Sequence, residues 1–450
     1  MTVVEQVEIK TRHGHDKLIN LLHPDRTSSN RNYETTIVTG QNGSHKSTLL
    51  RQIVSDLTRP VQPESYSLQK NNADRSQVLC ISGSVSDRFP QKRLPGGTRT
   101  EFDVPNYAYF GQRVLSNLLS KKAPLEMMLC FALAPDKAHR FKWKFFEAAH
   151  ALAGVESYVT YKLAKRRTKN QEQRSLLDII HSKRPEMDGN RIAARELPHV
   201  SYATAQWLLS EFTNNDFDQF DALYRSAKSQ SFELTLDPSG PTCEYLDPNI
   251  LRLGLLTDML MLQDIGVIPL RSGSKFSAFD LSSGEFHMFS TIQAVGFGLN
   301  RKAVLLIDEP ENNLHPQWQR DLMAAIFEVC SNALDDGHVI VCTHSPLIVG
   351  AAHEGSTVVD LTGEEPQRTR VSFGASSDEL LLTGFGVGSS RNKFVVDKVQ
   401  QAVSLVERGD FDNPAFKVLI PQLKQILDAL TPEDPLVDVI YALIDEEPIQ

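Results

Sequence analysis

Thr35-Thr36-Ile37-Val38-Thr39-Gly40-Gln41-Asn42-Gly43-Ser44-His45-Lys46-Ser47-Thr48 decides how this chain is read. Its first five residues are β-branched or small and predict a buried strand that enters a turn at Gly40. From Thr48 to Val54 the apolar residues take helical spacing. A strand, a glycine-bearing loop and a helix start surround an anion with backbone N–H groups and the positive end of the helix dipole. Gly40 and Gly43 permit the close turn, and Asn42, Ser44 and His45 complete the loop. Lys46 adds a cation, Ser47 a hydroxyl for a metal ion, and Thr48 opens the helix. A glycine is the usual residue before such a lysine. Here His45 stands there, so either the loop relaxes or histidine enters a left-handed backbone region that it tolerates better than branched residues do.

Three later segments add to this one. Val304-Leu305-Leu306-Ile307-Asp308-Glu309-Pro310 reads as a strand covered on both faces, with two carboxylates at its carboxyl end. Val339-Ile340-Val341-Cys342 is a matching run, followed by Thr343-His344-Ser345-Pro346, with His344 36 positions after Asp308 (344 − 308). Leu281-Ser282-Ser283-Gly284-Glu285 places small hydroxyls and a glycine before the helical pattern of Phe286 to Leu299, 27 positions before Asp308 (308 − 281). That start can receive a phosphate on its backbone donors, or it is an N-cap with a nearby glutamate; both readings can hold at once. Alternating strands and helices predict an α/β fold with a mostly parallel sheet.

In this order the four segments resemble the Walker A, signature, Walker B and switch-histidine elements of the ABC ATPase superfamily. The resemblance implies ATP and Mg2+ as cofactors, with Gly40, Asn42, Gly43, Ser44, His45, Lys46, Ser47 and Thr48 around the phosphates and Ser47 and Asp308 on the metal. It implies Glu309 as the group that orients or deprotonates the attacking water and His344 as a γ-phosphate contact. Ser282, Ser283, Gly284 and Glu285 would then meet the nucleotide held by another subunit, so at least a homodimer is implied. Pro310-Glu311-Asn312-Asn313-Leu314-His315-Pro316 resembles the D-loop region of ATPases related to the SMC and overcoming-lysogenization-defect families. His315-Pro316 replaces the aspartate usual in transporter subunits.

With Val78 to Pro90, and with Leu380 to Val387 followed by Ser389-Ser390-Arg391, that tail looks like the stand-alone AAA-type ATPases of bacterial phage-defence operons. Among them it is similar to the PtuA subunits of Septu systems, including retron-associated forms. The likeness implies a homo-oligomeric ATPase that restrains an HNH-type nuclease partner; the chain itself carries no HNH constellation. Two alternatives stay open, an ATP-loaded oligomeric scaffold with little turnover and a DNA-repair-type ATPase.

The 47 Lys and Arg against 56 Asp and Glu exclude a sequence-wide basic field, so any nucleic-acid contact must be local or indirect. Five scattered cysteines without CxxC pairing are expected to be reduced, in a cytoplasmic protein with no membrane segment. At about 150 residues per domain the chain has room for several parts. The expected division is residues 1–113 for the N-terminal lobe, 114–228 for a helical insertion, 229–365 for the C-terminal lobe and 366–450 for a helical extension. The insertion carries the aromatic-basic Arg140-Phe141-Lys142-Trp143-Lys144-Phe145-Phe146 and the charged Lys162 to Lys169, which read either as nucleic-acid contacts or as amphipathic helices with solvated lysines. Gln91 and Gln112 are both candidates for the magnesium-sensing glutamine. His13, His15, His139 and His287 have no motif context and are read as structural.

Overall fold

The aliphatic run Val304–Ile307 has no exposed surface. Its strand, Lys302–Asp308, pairs in parallel with Asp336–Cys342 on one side and Gln77–Ser82 on the other. Asp308 stands opposite Cys342 and Ser82, so three strands reach their carboxyl ends together. Tyr107–Tyr109 adds a further parallel strand to Gln77–Ser82. Continuous hydrophobic runs, not alternating ones, are what a sheet covered on both faces requires.

The computed structural model describes residues 2–10, 16–24, 31–58, 76–84, 87–90, 106–115, 118–166, 174–184, 200–226, 231–244, 246–271, 273–363, 365–371, 392–408, 413–430 and 434–445. Gln91, Pro95-Gly96-Gly97, Arg167 to Lys169, Leu380 to Val387, Ser389 to Arg391, His13, His15 and Glu446-Glu447 lie outside the described residues. The chain forms two compact units, each discontinuous in sequence. One comprises Met1–Ile19, Ser29–Glu34 and Ser47–Cys342; the other comprises Asn20–Ser28, Thr35–Lys46 and Thr343–Gln450.

The first unit holds the parallel strands just described and a five-stranded antiparallel sheet. In that sheet Val159–Lys165 lies between Ser231–Asp237 and Leu260–Val267. A strand at Val159–Lys165 departs from the mainly helical reading of this region. Val159, Tyr161 and Leu163 repeat at period two and are fully buried, and the lysines among them hide the pattern. Lys165 Nζ donates to the Ser226 carbonyl at 2.8 Å and lies over the rings of Tyr224 and Phe232.

The helix Ser283–Gly298 is buried along nearly its whole length. Its last carbonyls, which a helix end leaves without internal partners, are all occupied. Arg140 donates to Gly296 O at 2.8 Å and to Phe297 O at 3.4 Å, Gln77 to Gly298 O at 2.8 Å, and Lys137 to Leu299 O at 3.0 Å. Two of the three donors are cations at the negative end of the helix dipole. Phe141, Phe145 and Phe146 pack onto Phe297. The aromatic-basic stretch is therefore core and helix cap, and these three rings are not a surface for stacking bases.

In the second unit Thr36–Thr39 of the strand Tyr33–Thr39 pair in parallel with Thr357–Asp360, which pairs antiparallel with Gln367–Arg370. Lys393–Glu407, Pro414–Ala429 and Leu436–Asp445 are helical, as the terminal pattern predicts, and pack around Val395, Phe416, Leu423, Ile426 and Ile440. Among the described residues no helix is long and apolar enough to cross a membrane.

His150 gives the first unit a pH dependence. Burial pushes its imidazole down to about 4, and its Nδ1 lies 2.6 Å from the Phe146 carbonyl, to which it donates. The unfolded chain protonates this ring at about 6.5, whereas the folded chain excludes the proton. Stability contributed above that pH is lost as pH falls from about 6.5 toward 4, by on the order of 3 kcal/mol. Urea unfolding across this window is expected to show the loss, and His150→Phe to flatten it.

Candidate functional site

The loop from Gly40 to Lys46, in the second unit, owes its shape to three left-handed residues. Gly40 has φ +144°, Gly43 +88° and His45 +70°. Of the two alternatives open at His45, the left-handed backbone is the one adopted. Gly40 is required twice over, because a β-carbon there would lie 2.6 Å from Ser44 Oγ. Ser44 N donates to Gln41 O at 3.1 Å and closes the turn. Gln41, Asn42 and Gly43 are exposed, whereas Lys46 is 6% exposed, with Nζ donating to Gly40 O at 2.8 Å and Gln41 O at 3.2 Å. The helix Lys46–Leu57 starts at the lysine, which puts Ser47 and Thr48 in its first turn. His344, in the same unit as the loop, is half-buried just before the short helix Pro346–Gly350, which Ser345 caps.

In the first unit the chain turns sharply after Asp308, which is 1% exposed. Glu309 has φ +51° and Asn313 +64°. A left-handed glutamate costs on the order of 1–3 kcal/mol and persists only where its surroundings hold it. Glu309 N donates to Cys342 O at 2.9 Å, and Asn312 Nδ2 donates to the Glu309 carboxylate at 2.9 Å. Gly83 N donates to Asp308 O at 2.9 Å, and a β-carbon on Gly83 would collide with Glu309 O. Upstream, the buried Asp87 accepts from Phe89 N, Tyr109 OH and Arg113, the last at 3.1 Å. Burial, reinforced by the Asp87 carboxylate, pushes the Tyr109 hydroxyl up. Gln112 is half-buried, and its carbonyl accepts from Ser120 N at 2.7 Å.

The start of the helix Ser283–Gly298 is a reciprocal cap. Ser282 Oγ accepts from Glu285 N, and the Glu285 carboxylate accepts from Ser282 N at 2.9 Å. Ser282 and Ser283 are exposed, and Gly284 is buried. A β-carbon on Gly284 would lie 2.7 Å from the Trp318 ring and 3.0 Å from Asn313 O. The structure thus brings the 282–285 start against the turn that follows Glu309, within one chain. His287 joins them, its Nε2 3.0 Å from Pro310 O. Within the sequence, only the small residue at 284 signals this packing inside one chain. His315 Nδ1 accepts from Gln317 N and caps the helix Pro316–Ala333.

Residues 163–350 match the family described as "AAA domain, putative AbiEii toxin, Type IV TA system". The match covers less than half of the chain. Over 91 residues the chain is 29% identical to the "Retron Vc95 probable ATPase" of Vibrio cholerae serotype O1 biovar El Tor. The match covers 18% of this chain and 17% of that protein. Similar solved structures include the Smc head domain of Pyrococcus furiosus bound to the C-terminal domain of ScpA, at 12% identity and TM-score 0.32 over 82% of this chain and 96% of that one. The SMC head domain of Thermotoga maritima is another, at 13% identity and TM-score 0.27 over 82% and 98%.

Because Gly284 is wedged under Trp318, Gly284→Ala is expected to destabilise the fold by about 1–3 kcal/mol. Ser283→Ala, at an exposed hydroxyl, is expected to change it by less than about 0.5 kcal/mol. Urea denaturation of the two variants checks the difference.

Proposed function

We propose that the chain binds and hydrolyses ATP in composite sites shared between copies, and that it uses this cycle in the cytoplasm to control an HNH-type nuclease partner in defence against phage. The loop geometry carries this reading. Three left-handed residues shape the loop, Gln41, Asn42 and Gly43 are exposed, and Lys46 rests its amine on the loop's own carbonyls. Phosphate oxygens are better partners for that amine than neutral carbonyls, because both members of the pair are then charged.

Ser47 and Asp308 supply hard oxygen donors of the kind magnesium takes. When bound, the ion offsets the negative charge that develops on the transferred phosphoryl group. Glu309, on its sharp turn, orients the attacking water or accepts its proton. His344 contacts the γ-phosphate. Ser282, Ser283, Gly284 and Glu285 cap the nucleotide of a second copy through the N-terminal donors of their helix, and the exposure of both serines suits this use. The segmental likeness to a retron-associated ATPase supports the defence setting.

A second reading, an ATP-loaded scaffold with little turnover, is favoured by His45. A side chain at φ +70° stands where the usual loop has none.

Phosphate release by the wild-type chain and by Glu309→Gln separates the readings. Hydrolysis predicts wild-type turnover, a loss of about 100-fold or more in the variant, and unchanged ATP affinity with ATP-dependent association. Binding without turnover in the wild type selects the scaffold; wild-type rates in Glu309→Gln remove Glu309 from its role.

A further inference from the structure

One side chain that no motif requires ties the helix beginning at Ser283 to the turn beginning at Glu309. His287 is 9% exposed, with Nε2 3.0 Å from Pro310 O. A carbonyl only accepts, so Nε2 carries the proton and donates. In a neutral ring Nδ1 is then the acceptor, and Thr291 Oγ1, at 3.4 Å, is its donor. Burial lowers the His287 pKa, in keeping with a neutral ring whose tautomer is set from both sides.

The carbonyl that His287 holds lies one residue past a strained position. Pro310 follows the left-handed Glu309, and the turn runs on to a second left-handed residue, Asn313. Three groups hold the strained segment. Cys342 O takes Glu309 N, the bare backbone of Gly83 packs against Glu309 O, and His287 takes Pro310 O. Two of the three adjoin, since the β-carbon that Gly83 lacks would lie 3.5 Å from His287 Cε1. Asn312, in the same turn, donates to the Glu309 carboxylate, so a shift of the turn moves the carboxylate with it.

We propose that His287 is a positioning residue: through the Pro310 carbonyl it transmits the seating of the 282–285 helix start to the turn that begins at Glu309 and so sets the orientation of the Glu309 carboxylate. The assignment rests on the reading of Glu309 as the group that orients the attacking water. A histidine that served packing alone would be replaced with equal effect by any side chain of similar size. One that serves through its N–H is replaced by another donor and not by an isostere without one.

The wild-type chain, His287→Leu and His287→Gln are compared by steady-state phosphate release and by hydrogen exchange of the non-proline amides of residues 309–313. His287→Leu is expected to lower kcat about tenfold while KM for ATP stays within about threefold. Its 309–313 amides exchange faster. His287→Gln, which keeps an N–H donor, recovers most of the rate and the protection. Wild-type kcat in His287→Leu, or equal losses in both variants, overturns the proposal. Should His287→Leu not fold, His287→Asn, too short to reach Pro310, takes its place with the same expectations. If the wild type itself releases no phosphate, the hydrolysis reading falls and exchange decides alone. Faster 309–313 exchange in His287→Leu, restored in His287→Gln, then supports the positioning role, and unchanged exchange overturns it.

Discussion

The peptide joining Glu309 to Pro310 is held where an unconstrained chain would not leave it. Glutamate at φ +51° is unfavourable in isolation, and it is kept there by a hydrogen bond from its own N–H to Cys342 O and by the bare backbone of Gly83 against its carbonyl. Both supports come from the strands flanking Lys302–Asp308 or from their ends, so the turn depends on the parallel register that brings Ser82, Asp308 and Cys342 to one level. That register depends in turn on the buried aliphatic run. Hydrophobic burial thus fixes the place of the two carboxylates, and local strain fixes the direction of the second.

The helix Ser283–Gly298 is the other rigid part. A reciprocal serine–glutamate cap closes its start, and Arg140, Gln77 and Lys137 occupy the carbonyls at its end. A buried helix satisfied at both ends has little freedom to shift alone. Its far end packs against the segment in which Phe141, Phe145 and Phe146 meet Phe297. This links the motif helix to a part of the chain with no motif of its own.

Much of this was legible from residues alone. The strands at 33–39, 77–82, 302–308 and 336–342 announce themselves because a strand covered on both faces needs an uninterrupted apolar run. The α/β class follows from their alternation with helices. The left-handed His45 was one of two outcomes that the missing glycine allowed. Other features were hidden for physical reasons. Val159–Lys165 is a strand with lysines on its less buried positions, and the charges obscured a period-two core of Val159, Tyr161 and Leu163. His287 reads as structural in the sequence because a lone histidine in an apolar helix gives no spacing signal; the carbonyl it meets lies 23 positions away (310 − 287). The small residue at 284 was visible, but its neighbour Trp318 was not.

Under the proposed function one chain cannot complete its own nucleotide chemistry, since a phosphate loop from one copy and the 282–285 helix start from another are both required. Mixing two inactive variants tests this most directly. Lys46→Ala keeps an intact helix start, and Ser283→Arg, at an exposed residue, keeps an intact loop. Each alone should release no phosphate. An equimolar mixture should recover roughly a quarter of the wild-type rate, because half of the dimers are mixed and each of those holds one intact site. A mixture as inactive as its parents, or full activity from Ser283→Arg alone, would contradict the account.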